Sequence, residues 1–590
     1  MKTFLKYTLA SIVGVIIAFF IGIFIFFGVV GSIVSSSKDK TVKIKPNTIL
    51  HIKLDKKIVD RASNNPMENF NFQAFKTENN LGLNDILQNI EAAKTDENIK
   101  GIYLDLTVIN AGIASIEEIR NALLDFKKSN KFIVSYADYY TQSSYYLATV
   151  ADTIYLNPEG IIELKGLHAE LMFFKGALKK LDVEPQIIRH GKFKSAVEPF
   201  MLDKMSEANR EQYNAFMGSI WDKFLKGISE QRNISIEDLT KYADNLSIRN
   251  PKSALKYKII DGIRYKDEII SELKDRVNIK QNKKLKLISI SKYKNVPKKP
   301  KHKHLVKNKI AIIYASGEIN MGKGSDKTIG SEKLSSTIRK ARLDSTIKAV
   351  VLRVNSPGGS ALASEIIWRE VCLTKKVKPV IASMGDVAAS GGYYISCAAD
   401  TIVASPNTIT GSIGVFGLLW NGEKFLKNKL GITVDRVKTN KYADLGSMTR
   451  RMTAAERDII QTSVEDIYDT FISHVAEGRN MTKEKVDEIG QGRVWSGENA
   501  KKIGLVDVFG GLNKAVEIAV EKANLEKYRI VSLPKQVDPF TQIMKQLQGD
   551  VATSIIRNKL GSEYKYYERI QELTRINGCQ ARMPFDIDIH

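Results

Sequence analysis

Two tandem domains of α/β class behind an apolar N-terminal helix are what this sequence predicts, and three observations carry the prediction. The stretch from Tyr7 to Ser37 holds no charged residue and is dense in Ile, Phe and Val. Segments of sequence recur at a spacing of 248 residues. Within each recurrence, short β-rich runs alternate with helical patterns, the mark of parallel strands joined by right-handed crossovers. A chain of 590 residues also exceeds what one hydrophobic core can hold.

The N-terminal stretch comes first. A spanning helix needs about 20 apolar residues, whereas the core of a signal peptide has about 7–15. No A-x-A site follows it, so residues 1–37 read as a retained transmembrane anchor, with a cleaved signal peptide as the alternative. Lys2 and Lys6 lean toward an N-in orientation. Lys38, Lys40, Lys43 and Lys45 flank the far side, and long domains are exempt from the positive-inside count. Composition is that of a globular protein, 43% hydrophobic and 26% charged. The net charge of +23 comes without a zinc-finger spacing, an RNP-like motif or an arginine-rich helix. It reads as a solvated lysine surface near a membrane, with no nucleic-acid partner. Cys372, Cys397 and Cys579 form no C-x-x-C pair, so neither a disulfide framework nor a metal site is expected.

The duplication follows. Ile99–Leu106 matches Ile347–Val354, Ser144-Tyr145-Tyr146 matches Gly392-Tyr393-Tyr394, and Ala151–Ile154 matches Ala399–Ile402. Arg232–Ser235 matches Arg479–Thr482 after a drift of one residue. The first copy is placed at residues 46–291 and the second at 310–535. Residues 292–309, rich in lysine and holding Pro297 and Pro300, read as a surface linker. In the second copy Ile310–Tyr314, Ala349–Val354 and Val380–Ser383 read as strands, Ser331–Arg342 and Ala361–Val371 as helices. Each copy closes on a long helical stretch, Ser206–Glu230 and Ala454–Glu477. Residues 536–590 form an extension without a motif, in which Tyr564–Leu573 is a candidate docking helix.

Two motifs in the second copy bear on chemistry. The strand ending at Val354 runs into Asn355-Ser356-Pro357-Gly358-Gly359-Ser360. Glycines there let consecutive N–H groups point into a site without Cβ obstruction, which an oxyanion hole requires; a plain turn has the same composition. The next strand leads to Gly385-Asp386-Val387-Ala388-Ala389-Ser390-Gly391-Gly392-Tyr393. Its serine stands among small residues at a strand-to-helix turn, next to the Gly391 N–H. Two readings fit Ser390, a nucleophile or the N-cap of the following helix. The pattern is not G-x-S-x-G, so a hydrolase elbow is not supported.

With Thr410-Gly411-Ser412-Ile413-Gly414-Val415 downstream, these motifs resemble the signal peptide peptidase A (protease IV) family in its long, tandem form. The resemblance covers both copies and the anchor, and implies the Clp-protease/crotonase-like fold. It implies a serine nucleophile at Ser390, oxyanion donors at the Gly358-Gly359 turn, and a base-orienting serine at Ser412. It further implies hydrophobic signal peptides as substrates, cut at the membrane lipid surface, and a ring-shaped assembly, here a homo-tetramer. The expected place is the bacterial inner membrane, single-pass, with the domains facing the periplasm. The chemistry needs no cofactor.

A serine hydroxyl needs a base within reach. None of the seven histidines lies in a motif flanking Ser390, and His190 alone stands near a suspect region. A lysine serves if burial leaves it neutral. The first copy holds Lys192-Phe193-Lys194-Ser195-Ala196-Val197-Glu198-Pro199-Phe200, like the family's K-S-A-V-E-P-F run, and Lys194 falls opposite Ala443. In return Ser390 falls opposite Gln142, the Pro-Gly-Gly turn opposite Val108–Ala111, and Ser412 opposite Leu164. Each copy lacks what the other carries, so Lys194 is the expected base, with Lys192 as the spare. Whether the pair forms within or between chains stays open at this stage. The apolar run Val415–Trp420 reads as core or as the lining of a groove. Acyl-CoA hydratases and isomerases share the oxyanion logic, yet they call for acidic catalysts near the glycine turn and for no anchor. A catalytically dead membrane scaffold would not need Ser390 and Lys194.

Overall fold

In the computed structural model the described residues are 2–37, 41–64, 70–71, 76–77, 80–297, 306–325, 327–536 and 578–583. A helix runs over Lys2–Ser37. Among the described residues no helix is long and apolar enough to cross a membrane, so the anchor expected over residues 1–37 rests on the uncharged run of the sequence and not on the structure. Tyr564–Leu573 lies outside the described residues.

The two copies each build a parallel sheet of six strands on one plan, to which the second adds Ile409–Gly411, parallel to Val380–Ala389, and Val494–Ser496, antiparallel to Ile409–Gly411. In the first the order is Gly262–Ile263, Thr153–Ile162, Phe132–Tyr140, Ile99–Asp105, Thr48–Ile52, Leu287–Ser289, every neighbour parallel. In the second, Val508–Phe509, Thr401–Ala404, Val380–Ala389, Ile347–Ser356, Lys309–Ser316 and Arg529–Leu533 repeat that order. Strands buried on both faces read as continuous apolar runs, which is how Ala349–Val354 and Val380–Ser383 announce themselves. The long helices Glu207–Arg232 and Ala454–Arg479 are 26 residues each, and both end on a left-handed asparagine, Asn233 and Asn480. The α/β plan is thus present twice, as a tandem pair.

One region departs from the sequence reading. Tyr293, within the stretch read as surface linker, is buried and donates to Asp96 Oδ2 at 3.0 Å. Its ring supplies apolar area that the lysine-rich composition around it hides.

The copies do not stay apart. A third, mixed sheet runs Thr328–Gly330, Glu318–Asn320, Gly358–Ser360, Gly578–Arg582, Phe416–Asn421, Glu184–Arg189. Its last strand belongs to the first copy and pairs antiparallel with Phe416–Asn421 of the second, from Arg189 opposite Phe416 to Glu184 opposite Asn421. Residues after it continue along the second copy, His190 N–H to the Val415 carbonyl at 3.1 Å and Phe193 N–H to that of Gln491 at 2.9 Å. Most of the Val415–Trp420 run is therefore the strand Phe416–Asn421 of this shared sheet, buried except for the half-buried Trp420.

A buried charge cluster closes the same seam. Arg353, fully buried, donates to Asp60 Oδ1 and to Glu118 Oε1, each at 2.7 Å. Asn355 also reaches Asp60, at 2.8 Å, and the Leu512 N–H reaches Glu118 at 2.8 Å. Asp386 accepts from Ser115 N–H at 2.8 Å and from its hydroxyl at 2.7 Å. Desolvation outweighs these partners at Glu118 and Asp386, whose carboxyls are held above the usual range.

Candidate active site

The crossing strand delivers Lys194 into the second copy. Its Nζ lies 2.9 Å from Ser390 Oγ, 3.1 Å from Ser412 Oγ and 3.2 Å from the Ser412 carbonyl oxygen. All three residues are fully buried, and the two partners meet within one chain. Burial alone drives the Lys194 amine well below an ordinary lysine, because no described carboxylate offsets the loss of water.

Ser390 stands where Val380–Ala389 turns into the short helix Gly391–Tyr394, at φ 54° and ψ −115°. Such a backbone is rare for a residue with a side chain, and the surroundings hold it: its N–H bonds the Gly411 carbonyl at 2.8 Å. Ser390 does stand at the N-cap position of that helix, but its hydroxyl makes no cap bond and contacts Lys194 instead. Ser412 likewise has φ 49° and is pinned through its N–H to the Arg493 carbonyl at 2.7 Å.

The glycine turn lies beside them. Gly358 has φ 98°, and a Cβ there would stand 2.7 Å from the Gly391 amide nitrogen. Gly359 pairs with Ile319 on the neighbouring strand. Gly358 and Gly391 thus lie against each other beside the serine, Gly359 faces Ile319, and the Gly358 N–H donates to Ser356 Oγ at 3.2 Å.

Several supports were not visible in the sequence. Gln212, buried on Glu207–Arg232, donates to Ser195 Oγ at 2.8 Å and to the Phe193 carbonyl at 3.3 Å, and accepts from Val494 N–H at 3.1 Å. It clamps the lysine's flanks to the second copy. Glu198 accepts from Ser206 Oγ at 2.6 Å and Asn209 Nδ2 at 2.9 Å. Gly492 lets the chain pass close, since a Cβ there would stand 2.6 Å from Lys194 Cβ. Gln212 shares its buried helix face with another polar residue, Asn209, to which it donates at 2.9 Å, so polarity alone does not single it out in the sequence.

Other candidates fall away. Lys192 is exposed, its ammonium over the Phe193 ring at 5.3 Å. His190 stacks on Tyr468 with ring centroids 3.9 Å apart. In the first copy Gln142, at the slot of Ser390, accepts from the N–H groups of Lys165 and Gly166 at 2.8 Å, which makes it a loop brace. Among the described residues no cluster of His, Cys, Asp and Glu is arranged to hold a metal ion.

Comparison with known proteins bears on the chemistry. The model of "Peptidase family S49" matches residues 125–280 and 373–526, one segment in each copy. The chloroplastic serine protease SPPA of Arabidopsis thaliana is 37% identical over 508 residues, 85% of this chain and 74% of that protein. Protease 4 of Salmonella typhi is 38% identical over 476 residues, 79% of this chain and 76% of its own length. Among solved structures, ClpP1 from Listeria monocytogenes matches with a TM-score of 0.22 and 18% identity, over 34% of this chain and 91% of that one, a likeness too slight to build on. Two matched segments and relatives that align over most of both chains make this protein a member of peptidase family S49, a serine-type peptidase.

Proposed function

We propose that the chain is a membrane-anchored endopeptidase with a Ser–Lys dyad, Ser390 as nucleophile and Lys194 as general base, that degrades cleaved signal peptides. The observation that carries this reading is a fully buried amine 2.9 Å from a fully buried hydroxyl. A neutral amine has two N–H groups and one lone pair. Ser412 takes both N–H groups, through its hydroxyl and its carbonyl, and the lone pair is left for the Ser390 proton. The hydroxyl then attacks the peptide carbonyl, and the oxyanion forms against the N–H groups of Gly358 or Gly359 and of Gly391. Lys194 passes its proton to the leaving amine, and water repeats the route to free the acid. No cofactor takes part.

Support for the membrane comes from the uncharged run Tyr7–Ser37, inside the helix Lys2–Ser37, with Phe4, Tyr7, Val15, Phe19 and Phe20 exposed. This fits a single-pass anchor in a bacterial inner membrane with the domains on the periplasmic side. Support for the substrate comes from a relative in Enterococcus faecium named as a putative signal peptide peptidase, 34% identical over 243 residues. A homo-tetramer and lipid contact belong to the same reading.

The test is acylation. A serine-directed phosphonate is expected to label Ser390, seen by mass spectrometry of the digested protein. Ser390→Ala and Lys194→Ala are each expected to lose labelling and peptide hydrolysis while keeping the wild-type circular dichroism. Full hydrolysis by either variant would sink the dyad.

A further inference from the structure

The third sheet holds a strand that the proposed reaction does not use. Gly578–Arg582 lies antiparallel to the glycine turn, with Gly358 opposite Arg582, Gly359 opposite Ala581 and Ser360 opposite Gln580. On its other side it is antiparallel to Phe416–Asn421, with Phe416 opposite Gln580 and Leu418 opposite Gly578. Paired strands stand about 4.8 Å apart. Without this segment the two flanking edges would face each other across about 10 Å, the width of one extended peptide. Each edge would present a row of unpaired N–H and C=O groups. That is a slot for a peptide bound by strand addition.

The register sets one residue of the segment at the reacting position. The Ala581 carbonyl oxygen lies 2.2 Å from where a Cβ would stand on Gly358 and 3.0 Å from where one would stand on Gly391. It lies against the two glycines proposed above as oxyanion donors, and Ala581 is fully buried there. Contacts beyond it hold the segment in place. Met583, also buried, donates its N–H to the Pro357 carbonyl at 2.6 Å, and Arg582 Nη1 donates to Glu318 Oε1 at 2.9 Å.

We propose that residues 578–583 are an intramolecular occupant of the peptide slot, a tethered substrate mimic that incoming peptides must displace. The slot takes an extended chain running antiparallel to Gly358–Ser360, with a small residue where Ala581 stands. The inference rests on the assignment of the glycine turn and Gly391 to the reacting carbonyl.

The test is binding, so that it does not depend on turnover. The probe is a fluorescent peptide of residues 576–585, and its affinity is measured on the full chain carrying Ser390→Ala. A site open only a tenth of the time binds about tenfold more weakly than an open one. Adding Ala581→Trp, whose indole the filled slot has no room for, is expected to tighten probe binding by about that factor. Gln580→Pro removes a ladder N–H without added bulk and is expected to act in the same direction. Equal affinity across the parent and both double variants would overturn the proposal. A parent affinity that changes on dilution of the protein would assign the occupant to a second copy and overturn the intramolecular assignment. Hydrolysis by the chain with Ser390 intact is read separately. Its absence would count against the proposed function and leave the binding contrast untouched.

Discussion

Lys194 sits in a place where a charged amine has lost its water and gained only two serines. The proposed base is therefore neutral at a pH where an exposed lysine is not, and the pH–rate profile should show it. The rate kcat/KM is expected to rise with pH through an ionisation well below 10.5, the ordinary lysine value. Stability carries the same sign. Between the lowered folded value and 10.5 the unfolded chain holds a proton at Lys194 that the folded chain does not, so this residue's contribution to stability improves as pH rises. Lys194→Met is thus expected to melt above wild type at neutral pH, with the gap closing toward pH 10.5. Gln212 tests positioning. Gln212→Ala frees the backbone on either side of the lysine and is expected to lower kcat by about 10–100-fold with little change in KM, read from steady-state kinetics.

Element by element, the seam between the copies depends on charges that no water reaches. Arg353 stands on Ile347–Ser356, the strand that leads into the glycine turn, and its two carboxylates come from the first copy. Removing one partner leaves a buried charge half compensated. Asp60→Ala is expected to cost about 3 kcal/mol in denaturant unfolding. Lys485→Ala, which breaks an exposed pair with Glu488, is expected to stay within about 0.5 kcal/mol. Sequence patterning exposed much at this scale. Ile347–Ser356 and Val380–Ala389 follow from apolar runs, and the helices Ser331–Leu343 and Ala361–Lys375 from their spacing. Glu184–Arg189 escaped notice because a short run holding a proline and two adjacent isoleucines shows no alternation, and nothing in it names a partner strand more than two hundred residues away.

For the molecule as a whole, the duplication has turned two domains into one site. The first copy has no serine or glycine turn at the matching slots, the second has no lysine there, and a single shared sheet brings the two halves together. Because Lys194 and Ser390 meet within one chain, mixing Ser390→Ala with Lys194→Ala protein is expected to restore no hydrolysis at any ratio. Rescue by mixing would require the pair to form between chains.

Read alone, the chain discloses its class, its duplication and the two residues that complement each other, because repeat register and local composition are written along a line. It could not disclose Gln212, Gly492, the Arg353 cluster or the strand at 578–582. Those depend on which distant segments lie side by side, a matter settled by hydrogen-bond pairing across sheet edges and by the burial of charge once the copies close on each other.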